Sequence, residues 1–179
     1  AGPDLSTCSG TPIQIGLPAV PGSTSFWSPG TSLNDPTLAQ PTATVTLPVG
    51  ATSNTVVTYT LTSTDALGCQ AQDNMTVTFI PIPVASIAMV DSACIGAPVS
   101  ATYAGPPLTG GGYNWGFGTA LGGVQGIPSQ GLSWTIPNSG IQTVTLQVSN
   151  GTCVSAPVAE NIFIKPLPTS DFTISGNVC

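Results

Sequence analysis

The sequence contains no histidine and only one cation, Lys165, against seven carboxylates, so that 4% of its 179 residues are charged. Without histidine, Ser-His-Asp and Cys-His catalytic sites are excluded. With a single basic residue there is no phosphate footprint for nucleic acid and no polybasic membrane contact, and the formal net charge of −6 opposes both. No apolar run approaches the roughly 18 to 20 residues of a spanning helix. The opening Ala1-Gly-Pro-Asp4 has neither the basic nor the apolar region of a signal peptide. Helix formers are also sparse, and no window keeps a 3.6-residue period. These absences point to a mature, secreted or cell-surface chain that inserts in no membrane and binds no nucleic acid.

Thr, Val and Ser dominate instead, with 21 Gly and 18 Pro, a composition suited to strands and turns. Val144, Leu146 and Val148 alternate with Thr143, Thr145 and Gln147, which predicts a strand with one buried face, and Asn150-Gly151 predicts a tight turn before Cys153. Val57, Tyr59 and Leu61 repeat the pattern ahead of Cys69, with a turn one residue longer. Thr and Ser on the outer faces can hydrate such strands, and an almost uncharged surface also suits a protein packed into an assembly.

The cysteines set a period. Cys8 to Cys94 is 86 residues, Cys94 to Cys179 is 85, and Cys69 to Cys153 is 84. Pro81-Ile-Pro83 and Pro166-Leu-Pro168 each end 11 residues before the next cysteine and mark stiff junctions, because proline fixes φ and removes a ladder donor. The expected organisation is one β-sandwich over 1–82 with its first strand short or missing, a second over 83–167, and in 168–179 the first strand of a third unit or a donor strand.

Within each repeat the inward residues of strand B are expected at Ile13, Ile15 and Leu17, and at Val99, Ala101 and Tyr103. Trp27 and Trp115 follow their cysteines at the place where a tryptophan fills the centre between two sheets. Ala43, Val45 and Leu47, then Leu132, Trp134 and Ile136, supply strand E. Met75, Val77 and Phe79, then Ile162 and Ile164, close the repeats as strand G. Glu160 falls at an inward step of that alternation, which predicts a bulge or an edge there. The fold class is therefore all-β, with tandem immunoglobulin-like Greek-key sandwiches.

Tyr113-x-Trp115-x-Phe117-Gly118, followed by Gly140-x-x-Thr-Val-Thr-Leu-x-Val-Ser-Asn-Gly-x-Cys153, resembles a PKD domain. Trp27-Ser-Pro with Asp65-Ala-Leu-Gly-Cys69 resembles the related Ig-like repeats. Such arrays are similar to those of surface adhesins and gliding-associated proteins exported by the type IX secretion system of Bacteroidota. The resemblance implies a tandem-repeat structural protein of an adhesin or filament. Gly118-Thr119-Ala120 departs from the Phe-Gly-Asp-Gly of many PKD domains, which speaks against a carboxylate role in that loop.

Five cysteines in a secreted chain imply disulfides with one odd partner. Pairing within repeats would join Cys8 to Cys69 and Cys94 to Cys153. The strand plan opposes this, since Cys8 precedes strand B and Cys69 follows strand F, at opposite poles of a sandwich. An interlocking scheme would join Cys8 to Cys153, Cys69 to a preceding unit and Cys94 to a following one. Both schemes stay open on the sequence. Likewise, the seven residues before Cys8 and the spare strand Thr169–Ser175 fit either a piece of a longer array or a head-to-tail polymer closed by strand addition.

No catalytic, cofactor or metal constellation is expected. The carboxylates Asp4, Asp35, Asp65, Asp73, Asp91, Glu160 and Asp171 are scattered without a calcium-loop spacing, and Asp35 and Asp65 read as caps of local turns. Trp27, Trp115 and Trp134 could stack on sugars but read as core. Asn74-Met-Thr and Asn150-Gly-Thr match an N-glycosylation pattern, and Asp91-Ser92-Ala93 resembles the O-glycosylation signal of Bacteroidota, which makes Ser92 a candidate site at an expected surface corner. The function this predicts is a non-enzymatic structural repeat of an extracellular fibre, filament or adhesin. Its partners would be neighbouring copies or repeats, with surface glycans as further ligands. The alternative is a carbohydrate-binding or spacer module of a secreted multidomain enzyme.

Overall fold

The computed structural model describes residues 1–108, 110–118 and 130–169, and these form thirteen strands and no helix. The first strand set is β1 (Leu5–Cys8), β2 (Ile13–Gln14), β3 (Thr24–Ser28), β4 (Thr42–Ala43), β5 (Thr55–Thr64) and β6 (Gln70–Ile80). It forms one sheet in the order β1-β6-β5-β3 and a small second sheet of β2 and β4. The second set is β7 (Ile87–Met89), β8 (Ser92–Cys94), β9 (Pro98–Tyr103), β10 (Gly112–Phe117), β11 (Gly131–Thr135), β12 (Gly140–Ser149) and β13 (Val158–Lys165). Its sheets are β10-β12-β13-β8 and β11-β9-β7.

The pairing pattern is that of an immunoglobulin-like sandwich. In the second set the first strand is split, so that β7 runs antiparallel to β9 in one sheet and β8 runs parallel to β13 in the other. In the first set β1 runs parallel to β6, with Cys8 opposite Ile80, as Cys94 lies opposite Lys165. β1 thus corresponds to β8, the half of the split strand that pairs in parallel with the last strand of its sheet.

The period-2 pattern decides what is buried. Val144, Leu146 and Val148 are buried on β12, as are Met75, Val77 and Phe79 on β6 and Ile162 and Ile164 on β13. Trp27 and Trp115 are both 0% exposed. Trp27 Nε1 donates to the Leu38 carbonyl at 3.1 Å, so the largest buried side chain of the first core leaves no polar orphan. Each such apolar side chain contributes about 1.5–3 kcal/mol on burial.

The structure corrects the expectation for strand B of the first set. β2 ends at Gln14, Ile15 is buried, and Leu17 is 59% exposed. The cause is Gly16, which takes φ +87°, and where a Cβ would collide with the Ala39 carbonyl and the Trp27 ring. The backbone packs directly on Trp27 there, and the turn swings Leu17 outward. Glu160 is exposed opposite Val144, because β8 covers β13 only from Phe163 to Lys165.

By its internal contacts the chain divides into unit 1, comprising Ala1–Val84 with Pro106–Gly112 and Val148–Ala156, and unit 2, comprising Ala85–Gly105, Tyr113–Gln147 and Pro157 onward. By these contacts the end of β12 and the turn after it group with unit 1. Of 168–179, all but Pro168 and Thr169 lie outside the described residues, and Cys179 and Asp171 with them.

Candidate functional site

Cys8 ends β1 and enters a four-residue turn. Thr11 N–H donates to the Cys8 carbonyl at 2.9 Å, and Gly10, at φ 75°, takes the position of that turn that requires a left-handed backbone. Ser9 N–H donates to the Ile80 carbonyl and Gly10 N–H to that of Val45, both at 2.8 Å. These bonds fix the edge from which the Cys8 side chain projects.

Within unit 1, Cys8 is joined to Cys153 by a disulfide with a Cα–Cα distance of 5.8 Å, inside the usual range of about 4.4–6.8 Å. Asn150 positions Cys153: its Oδ1 accepts from Cys153 N–H at 3.0 Å, its own N–H donates to the Cys153 carbonyl at 3.1 Å, and its Nδ2 donates to the Pro81 carbonyl at 2.8 Å. The Ser155 hydroxyl accepts from Val148 N–H at 3.0 Å and closes the turn. Cys153 is 1% exposed.

Cys69 and Cys94 are free and exposed. Cys69 directly precedes β6 and Cys8 lies opposite Ile80 at its far end, eleven residues on, or about 36 Å at 3.3 Å per residue. That separation is far beyond a disulfide.

Each free cysteine repeats the setting of a bonded one. At Cys94, Ile95 N–H donates to the Lys165 carbonyl at 3.0 Å, Gly96 N–H to that of Ile136 at 3.1 Å, and Ala97 N–H to that of Cys94 at 3.0 Å, with Gly96 at φ 74°. At Cys69, Asp65 Oδ1 accepts from Cys69 N–H at 2.8 Å and from Leu67 N–H at 2.9 Å, while Asp65 N–H donates to the Cys69 carbonyl at 3.0 Å. The sheet registers place Asp65 directly after β5 where Asn150 stands directly after β12, since Thr55 lies opposite Phe79 and Gly140 opposite Ile164.

The other residues singled out in the sequence are dispersed. Asp35 caps its turn by accepting from Thr37 N–H at 2.8 Å and Thr37 Oγ1 at 2.7 Å, and these bonds hold its carboxyl below the ordinary value. Ser92 is half-buried within β8, opposite Phe163, and not at a surface corner, because the strand switch places it in the sheet. Trp134 is half-buried rather than buried. It leans on Phe117 at a ring distance of 4.7 Å, and its Nε1 has no partner among the described residues. Beside it lies a cavity of about 10 Å³, lined also by Ile136, Gln142 and Val144, enough for roughly one water. The loop from Thr119 on lies outside the described residues. Among the described residues no group of three or more His, Cys, Asp or Glu is placed to hold a metal, and no helix is long and apolar enough to cross a membrane.

The strand order and the split first strand define an all-β chain of immunoglobulin-like class. Solved structures of similar fold include the human desmocollin-1 ectodomain, at 10% identity and a TM-score of 0.36 over 98% of this chain and 37% of that one. The FN1-FN3 domains of chicken CNTN1 match at 12% and 0.37 over 83% and 57%. Sidekick-1 immunoglobulin domains 1-4 match at 12% and 0.33 over 92% and 49%. The chain thus spans between about a third and three fifths of those chains, and likeness at this level carries no argument about function. No family model matches the sequence. No curated protein matches it either.

Proposed function

We propose that the chain is a non-enzymatic structural module of an extracellular fibre or adhesin, built from tandem Ig-like repeats of PKD type and working through stiff sandwiches fastened by disulfides. The observation that carries this reading is the recurrence of one cysteine-bearing edge and one cysteine-bearing turn, with an edge and a turn already cross-linked as Cys8–Cys153. A protein whose polar side chains are spent on turn caps and whose cysteines sit on edges is equipped to bear load. The resemblance to type IX-secreted surface proteins of Bacteroidota supports the same reading, and Ser92 is the residue to examine for hexose by intact-mass analysis.

Electron microscopy of the native material tests the proposal. Ordered fibres repeating at one or two sandwich lengths are expected, and dispersed short particles would contradict it. The second reading, a carbohydrate-binding module, would rest on Trp134, which is half-buried and whose indole N–H has no partner among the described residues. Glycan-array binding that Trp134→Ala abolishes would establish that reading.

A further inference from the structure

We propose that Cys94 of one copy forms a disulfide with Cys69 of a second copy, head to tail, with Lys165 of the first copy beside Asp65 of the second. The proposal rests on the array reading above only in taking the neighbour to be another copy of this chain.

Cys8 projects from an edge defined by three backbone hydrogen bonds and a glycine in the left-handed region, and Cys94 projects from an edge with the same three bonds and the same glycine. Cys153 is presented by an Asn150 turn, and Cys69 by an Asp65 turn whose carboxylate accepts the corresponding N–H. The edge of Cys8 and the turn of Cys153 meet in a disulfide, whereas Cys94 and Cys69 are exposed free thiols. A Cys69 turn seated on a Cys94 edge would reproduce that contact between copies.

The charges fit this pairing and no symmetric one. In the bonded joint, Asn150 Nδ2 donates to the Pro81 carbonyl, next to Ile80. At the other edge Lys165-Pro166 stands in place of Ile80-Pro81, and on the other turn Asp65 stands in place of Asn150. A carboxylate has no N–H to donate to a proline carbonyl, but it can pair with an ammonium. Lys165 is the one cation of the sequence and has no ion pair among the described residues. Asp65 thus gives up the hydrogen bond to a proline carbonyl, and Lys165, next to that proline, supplies a complementary charge. Leu67, 89% exposed on the same turn, would gain cover.

The contact is heterologous, so each copy offers one Cys94 edge and one Cys69 turn, and copies add head to tail. Bond formation needs a two-electron oxidant. With a low-molecular-weight disulfide, Cys94–SH and Cys69–SH give Cys94–S–S–Cys69 and two equivalents of the small thiol. The Cys69 thiolate displaces the small thiolate from a mixed disulfide at Cys94.

The test uses the full chain carrying Cys179→Ser, oxidised in a glutathione buffer and run without reductant. The parent is expected to give a ladder that collapses with dithiothreitol. Cys69→Ser and Cys94→Ser should each remain monomeric alone, and their mixture should give dimer and nothing larger. Dimers of either single variant alone, or a parent that stays monomeric, would overturn the joint. Asp65→Asn keeps the turn cap and should cross-link with little dependence on salt. In the parent, the dimer yield from low to high salt should fall roughly two- to fivefold. Native fibres in which Cys69 and Cys94 remain free thiols would leave the fibre reading intact and overturn this inference alone.

Discussion

Cys8 and Cys94 end the same kind of strand, sit opposite the last residue of the same neighbour and enter the same glycine turn, yet one is cross-linked and the other is exposed. The backbone around the two is not what differs. The difference is the segment Val148–Ala156, which belongs by its contacts to unit 1 and brings Cys153 to Cys8. The lesson is that the strand plan fixes where a cysteine projects, and a second segment decides whether it is bonded.

Breaking the finished joint should have the largest effect. Cys8→Ser with Cys153→Ser is expected to cost about 2–5 kcal/mol, measured as a fall in denaturation midpoint, whereas Cys69→Ser with Cys94→Ser should change the stability of the monomer by less than about 0.5 kcal/mol. Equal losses would mean that the two edges are not distinguished as described. Asn150→Ala should cost about 1–3 kcal/mol, because the Pro81 carbonyl and Cys153 N–H both lose their partner. Asn150→Asp should retain the turn and lose only the bond to Pro81, giving a smaller fall on the same measurement.

The two turn glycines sharpen the likeness. Gly10→Ala and Gly96→Ala place a Cβ at φ 75° and 74°, and each should cost about 1 kcal/mol in chemical denaturation. A large inequality would show that the edges are not built alike. The smallest effect is at Asp35. Its carboxyl is held below the ordinary 3.8 by the bonds from Thr37, so its contribution is present above the unfolded value and is lost as pH falls through the lower folded value. Thr37→Val should move the Asp35 titration, followed by NMR, back toward 3.8.

The long strands are legible in the sequence because alternation reports burial directly: Val144, Leu146 and Val148 or Met75, Val77 and Phe79 need no knowledge of their partners. The short ones are not. Leu5–Cys8 is four residues whose strand character comes only from a parallel pairing with β6, more than seventy residues away. Ser92 looks like a corner residue until β13 draws it into a sheet. Leu17 follows the alternation of Ile13 and Ile15, but a close approach of Gly16 to Trp27 overrides it. The cysteines are visible as a period, while the choice between Cys69 and Cys153 for Cys8 depends on which pole each occupies, a property of the strand order and not of the spacing.

Non-reducing peptide mapping of the oxidised protein tests the central claim most directly. A protease other than trypsin is needed, since Lys165 is the only basic residue. The account predicts a Cys8–Cys153 peptide from every species and a Cys69–Cys94 peptide confined to the oligomers. Recovery of Cys8–Cys69 and Cys94–Cys153 peptides instead would contradict it.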